Sequence, residues 1–170
     1  MTLDQTGKRI PDVVENGKTF RWNSIKKAVT ISKFLKAFVI ADDSGLMVWA
    51  IGGKPGVRSA RFSGPNAADK DNNKKLLGLM KNVPAVKRKA TFVCAIALAD
   101  SGKLIGTVEG RCNGRLQYEP KGENGFGYDP LFVPNGYKRT FAEMKPGFKN
   151  RISHRSKALE KAKKVIERYL

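Results

Sequence analysis

Ala90-Thr91-Phe92-Val93-Cys94-Ala95-Ile96-Ala97-Leu98-Ala99-Asp100-Ser101-Gly102-Lys103-Leu104 is the stretch that decides the fold of this 170-residue chain. Residues 90–99 are strongly strand-like, Asp100-Ser101-Gly102-Lys103 is a turn, and residues 104–116 return as the second arm of a long β-hairpin. Upstream, Ala37-Phe38-Val39-Ile40-Ala41 is a continuous apolar run that fits a strand buried on both faces and ending at Asp42-Asp43-Ser44-Gly45. Carboxylates at such an end either present metal ligands to a cleft or sit solvated in an Asx-type turn. Residues 46–51 predict a further strand, followed by Gly52-Gly53-Lys54-Pro55-Gly56 and a basic loop over 57–64.

Helical spacing surrounds these strands. From Thr19, an available N-cap, Ile25, Ala28, Val29 and Leu35 share one face, with the small Ser32 between the last two. Asn66 is placed to cap a second helix running towards Leu76, Leu77 and Met80, whose first turn carries Asp69 and Asp71 as the helix dipole prefers. Leu131-Phe132-Val133 predicts a short strand ended by Pro134, and a last helix starts near Ser153 with Leu159, Ala162, Val165 or Ile166, and Tyr169 on one face. Strands and helices are mixed, with a hairpin between them and no internal repeat, so the class is α/β.

At this length one domain with a genuine core is expected, and 41% hydrophobic residues exclude a disordered tail protein. The net charge of +18 implies attraction to polyanions and says little about fold. Lysines spread over the whole length argue against a dedicated nucleic-acid arm. Cys94 and Cys112 lack metal-ligand spacing and read as reduced thiols of a cytoplasmic protein. The longest apolar runs are far too short to span a bilayer.

Two segments read as a binding site. Gly122-Glu123-Asn124-Gly125-Phe126-Gly127-Tyr128-Asp129-Pro130 combines glycines that allow close backbone approach with an aromatic pair and a carboxylate. Lys149-Asn150-Arg151-Ile152-Ser153-His154-Arg155 ends in a cation-rich turn that opens a helix, where a His-Arg pair is unfavourable unless an anion is near. Together they suit a planar ligand with an anionic tail. Carboxylates are scarce here, and if the first helix packs back on the strand, Glu15 and Asp43 converge. Mg²⁺ relieves the repulsion of such a pair and bridges to phosphate oxygens. Lys27 is then either a phosphate partner or an exposed helical lysine.

The order of motifs resembles the inosine/xanthosine triphosphate pyrophosphatase family. Glu15-Asn16-Gly17, Thr19-Phe20, Asn23 and Lys27-Ala28 are followed by Ala41-Asp42-Asp43-Ser44-Gly45-Leu46, Gly53-Lys54-Pro55-Gly56 and Ser59-Ala60-Arg61. Residues 125–132, Thr140-Phe141-Ala142-Glu143-Met144, Lys149-Asn150 and Ser153-His154-Arg155 with Ala158-Leu159 complete it. The resemblance implies an elongated mixed β-sheet flanked by helices, two lobes and a central nucleotide cleft, with homodimerisation typical. It implies Mg²⁺-dependent hydrolysis of ITP, dITP and XTP to the monophosphate and pyrophosphate. On this sequence Asp43 is the proton acceptor and, with Glu15, a metal-site carboxylate. Lys27 and Ser44 contact phosphates; Phe126, Gly127, Tyr128 and Asp129 form the wall on the base side; Lys149, His154 and Arg155 complete the pocket. The family begins with a strand and a phosphate loop that are not matched here, so residues 1–170 are expected to form one such domain, N-terminally incomplete. Thr6-Gly7-Lys8 only echoes that loop. Two rival expectations are a non-catalytic basic nucleotide- or RNA-binding remnant of the same fold, and a nucleotide diphosphatase of shifted specificity.

Overall fold

In the computed structural model, which describes residues 9–169, the hairpin is the spine of the molecule: β2 (Lys89–Asp100) turns through Ser101-Gly102 into β3 (Lys103–Leu116). The echo of a phosphate loop at Thr6-Gly7-Lys8 lies outside the described residues. The register shifts by one residue between Leu98 and Ala99, which pair with Gly106 and Leu104, a bulge that adds local twist. Flanking strands are β1 (Phe38–Val48) and β4 (Phe132–Pro134), giving the order β1-β2-β3-β4. The helices are α1 (Phe20–Leu35), α2 (Asp69–Leu79), α3 (Pro146–Ile152) and α4 (His154–Tyr169). The α/β class holds; among the described residues every strand pairing is antiparallel.

The unbroken apolar run of β2 has a simple cause, which is that both faces are covered. Cys94, Ile96 and Leu98 pack with Ala158 and Ala162 of α4, while Val93 and Ala95 pack with Phe20, and Ala97 and Ala99 with Ala28 of α1. The period-2 geometry of a strand sends alternate side chains to the two helices. At the other end Ala90 and Phe92 enter a larger cluster with Leu46, Val48, Leu76, Met80, Phe132 and Phe141. Each fully buried side chain of this size contributes about 1.5–3 kcal/mol.

Several expectations change. β1 does not end at Ala41: it runs through Asp42-Asp43-Ser44-Gly45 and pairs with β2 along its whole length, Asp43 opposite Ala95 and Ser44 opposite Cys94. The polar residues therefore sit mid-strand, not in a turn or at a strand end, and the separate strand over 46–51 is the end of β1 plus a 3-10 turn at Trp49–Ile51. As one of the two edge strands, β1 tolerates polar side chains, and Gly45 is there because a Cβ would lie 2.5 Å from Ser59 Oγ and 2.6 Å from the Gly56 carbonyl. Asn66 does not cap α2; the cap position is Ala68, whose N–H donates to the Asp71 carboxylate at 3.2 Å. Thr19 does cap α1, accepting from Trp22 N at 3.1 Å. On α4 the buried face is Ala158 and Ala162, and Leu159 is half exposed. Small residues line that face because α4 lies very close to β3, where a Cβ on Gly110 would sit 2.1 Å from the His154 carbonyl.

Arg88 is a core residue although its charge would place it at the surface. It is buried and donates to the carbonyls of Met80 (2.7 Å), Leu116 (3.1 Å), Val83 (3.4 Å) and Gln117 (2.7 Å), with its guanidinium over the Tyr118 ring. Five fixed donors let one side chain tie the end of α2 to the end of β3.

Candidate active site

The first turns of α1 and the middle of β1 bring three predicted residues together. Lys27 Nζ lies 3.0 Å from Glu15 Oε1 and 3.7 Å from Asp43 Oδ1. Asn23, one turn before Lys27 on α1, donates to Asp43 Oδ2 at 3.1 Å and accepts from Gly17 N at 2.8 Å. Glu15 is held by its backbone: its carbonyl accepts from Arg61 at 2.7 Å. Lys27 is thus no free surface lysine; it is mostly buried between two carboxylates.

Burial, joined by the negative charge of Glu15, pushes the Asp43 carboxyl up to about 6, against the opposing pull of Asn23 and Lys27. Such crowding of carboxylates is what a hard divalent cation relieves. Among the described residues no group of three or more His, Cys, Asp or Glu forms a ready metal cage. The donor set, two converging carboxylates, nevertheless fits Mg²⁺, which binds through one or two carboxylates, water and substrate phosphates.

Beside this cluster, Asp42 accepts from Ser44 Oγ at 3.0 Å and from Arg155 at 3.0 Å. Burial raises the Asp42 carboxyl, but the charge and hydrogen bond of Arg155 outweigh it and hold it below its usual value. Asp42 is the anion that the helix opening at His154-Arg155 requires, supplied by the chain itself. Ser44 thus shares a carboxylate with Arg155, joining the acidic end of the site to the glycine-aromatic end.

That second end is a cavity of about 130 Å³ lined by Ser44, Gly45, Ser59, Phe92, Phe126 and His154 among others. Phe126 is 61% exposed, with Lys149 Nζ 4.7 Å and the Arg155 guanidinium 5.7 Å from its ring centre. Asp129 is buried and accepts from Phe126 N at 2.9 Å and from Lys149, so Lys149 is pinned across the mouth of the loop. Gly125 must be glycine: φ is +80° and a Cβ would lie 2.1 Å from Asp129 Oδ2. Tyr128 lines the cavity but is 3% exposed, its hydroxyl donating to the Ser59 carbonyl at 2.9 Å, and it belongs to the main core cluster. The predicted aromatic pair therefore divides into one exposed face and one core anchor.

His154 stacks on Phe92 with ring centres 4.7 Å apart and planes 9° from parallel. Burial, with Arg155 and Lys149 nearby, lowers its pKa to about 3, so the imidazole is neutral. Its Nδ1 is buried without a hydrogen-bond partner. In the cavity wall that nitrogen is free to accept a hydrogen bond from, or donate one to, whatever fills the cavity, water or ligand.

The eleven predicted site residues fall in two adjoining groups: Glu15, Lys27 and Asp43, then Ser44, Phe126, Gly127, Tyr128, Asp129, Lys149, His154 and Arg155 in and around the cavity, with Ser44 next to Asp43 on β1. Asn23 stood within the family motifs without a role, and Asp42 within the Asp-Asp pair; only tertiary contact gives them one.

This is an α/β protein with a crowded carboxylate–lysine cluster next to an aromatic, cationic cavity, an arrangement whose chemistry suits a planar ring with phosphates attached. The chain belongs to the Ham1 family, whose model it matches over residues 1–165. It is 48% identical over 158 residues to a dITP/XTP pyrophosphatase of Shouchella clausii, covering 93% of this chain and 80% of the relative. It is 51% identical over 157 residues to a dITP/XTP pyrophosphatase of Desulforamulus reducens, covering 92% and 78%. Among solved structures, a HAM1 protein from Coxiella burnetii superposes with a TM-score of 0.88 at 40% identity, covering 94% of this chain and 82% of that one.

Proposed function

We propose that this protein hydrolyses non-canonical purine nucleoside triphosphates, ITP, dITP and XTP, to the monophosphate and pyrophosphate. The observation that carries the reading is the placing of Asp43, buried and raised to about 6, beside Lys27 and next to the Ser44 wall of the aromatic cavity. The names of its relatives, dITP/XTP pyrophosphatases, support dITP and XTP among these substrates.

In this reading the base lies against Phe126 with Lys149 and Arg155 at its edge. Asp43 takes a proton from the attacking water, and the ammonium of Lys27 stabilises negative charge as it moves onto the pyrophosphate. Asn23 fixes the Asp43 carboxylate, leaving Oδ1 to face Lys27. Glu15 and Asp43 would hold Mg²⁺, which, when bound, supplies charge neutralisation at the phosphates. Hypoxanthine and xanthine carry a keto oxygen at the six-position, which accepts a hydrogen bond from Arg155 or His154. Adenine presents an amino group and leaves that donor unpaired, a difference worth on the order of 10⁴ in selectivity. Homodimerisation and residence in the cytoplasm complete the proposal; among the described residues no helix is long and apolar enough to cross a membrane.

The experiment is a substrate panel with the pure protein, ITP, XTP, GTP and ATP, with Mg²⁺ and with EDTA, scoring pyrophosphate and orthophosphate separately. Pyrophosphate from ITP and XTP, abolished by EDTA, is expected. No turnover together with salt-sensitive RNA binding would instead make this a binding module, and equal turnover of ATP would make it a broad diphosphatase.

A further inference from the structure

Gly127, between the exposed Phe126 and the anchored Tyr128, is gripped from outside its own loop. Its N–H donates to Asp69 Oδ2 at 2.6 Å, and its carbonyl accepts from Asn73 Nδ2 at 2.9 Å. Asp69 and Asn73 are one turn apart on α2, so they stand above each other on one face and take both polar groups of a single peptide residue. The helix that carries them is firmly seated. Asn72 accepts from Ser63 N at 2.8 Å and donates to the Ala60 carbonyl at 3.1 Å, and Leu76 and Met80 are fully buried.

The loop needs such a hold. Gly122, Gly125 and Gly127 all have positive φ, so this backbone has more freedom to lose than most. Within the segment, Phe126 N and Asp129 N are tied only to each other's residues, Phe126 N to the Asp129 carboxylate and Asp129 N to the Phe126 carbonyl. Those bonds shape the turn but do not place it on the rest of the protein. Both ends of the loop are tied down, Asn124 N to the Ala142 carbonyl, the Asp129 carbonyl to Ala142 N and the Tyr128 hydroxyl to Ser59, and at Gly127 between them Asp69 supplies the hold from the cavity wall, which it also lines.

Resting on the nucleotide-hydrolysing reading above, we infer that Asp69 and Asn73 are positioning residues for nucleotide recognition: they act through Gly127 to hold Phe126 where a base stacks. Neither touches the carboxylate–lysine cluster among the contacts described, so the clamp governs binding of the base and leaves the phosphate chemistry alone. Without it, Gly127 and the Phe126 beside it lose their direct hold on α2, and the cost of ordering them falls on each binding event.

The test compares Asp69→Ala, Asn73→Ala, the double variant and Asp69→Asn with the wild type, using ITP. Asp69 is exposed and its replacement leaves the core intact, so it keeps the test sound even if Asn73→Ala folds poorly. Loss of a hydrogen bond to a charged group is expected to raise KM about tenfold, with kcat within about twofold of wild type. The double variant should be little worse than the worse single one, since both act on one residue. Asp69→Asn keeps an acceptor and should recover part of the loss. An unchanged KM, or a fall in kcat as large as the rise in KM, would overturn the inference. Amide exchange over residues 124–129 is read in parallel: faster exchange in Asp69→Ala supports the clamp, and unchanged exchange overturns it. Should the wild type fail to hydrolyse ITP, the functional reading falls, and the exchange measurement still decides the clamp.

Discussion

In the proposed reaction Asp43 concentrates the chemistry at the residue scale, and two measurable consequences follow from that role and from its burial. Asp43→Asn should abolish turnover, by at least about 10³-fold for loss of a general base, while the protein keeps its fold. The same change should stabilise the metal-free protein. Because the folded carboxyl is raised to about 6 from an ordinary value of 3.8, the folded state binds the extra proton between those pH values. Its contribution therefore worsens as pH rises through that window, by about 3 kcal/mol in all. With EDTA present, Asp43→Asn should melt several degrees above wild type at pH 8 and close to it at pH 4. A second contrast separates two glycines of the cavity loop. Gly125→Ala drives a Cβ into the Asp129 carboxylate and should cripple ITP binding, whereas Gly127→Ala meets no atom within 4 Å and adds only the left-handed penalty of about 1–2 kcal/mol. The carboxylates and Lys27 were legible in the sequence because scarce acids in a basic chain stand out and fall in a family order. Asn23, Asp42 and Asn73 were not, since their roles rest on contacts made across 20, 113 and 54 residues.

Among the elements, the seat of α4 on β3 joins fold to site most directly. Gly110 leaves no room for a side chain: its Cβ would lie 2.1 Å from the His154 carbonyl and 2.4 Å from Ala158 N, both backbone atoms at the start of α4. Gly110→Ala should therefore cost about 1–3 kcal/mol in denaturant unfolding and raise KM for ITP, because His154 and Arg155 move with the helix they open. The hairpin was readable in advance for the reason that makes it stable, since a strand covered on both faces is apolar at every position. β1 reads as ending at Ala41 because Asp-Asp-Ser-Gly has turn chemistry, and only its pairing with β2 keeps it extended. The capping of α2 by Ala68 shows the same limit, as Asn66 is the better capping residue by type but not by position.

For the whole molecule, the charge of +18 bears on how a tetraanionic substrate arrives. Attraction over such distances is screened within about 8 Å at physiological ionic strength. Raising salt should thus lower kcat/KM for ITP several-fold while the rate at saturating substrate holds, as steering acts on encounter and not on chemistry. The proposed reaction is one bond-breaking event in one cleft, a water deprotonated by Asp43 attacking the α-phosphorus of a keto-purine nucleotide. Hydrolysis of ITP in H₂¹⁸O, read by mass spectrometry, tests it most directly. One ¹⁸O in the inosine monophosphate and none in the pyrophosphate, with no product from Asp43→Asn, is the predicted result; label in the pyrophosphate, release of orthophosphate, or undiminished turnover by Asp43→Asn would contradict it.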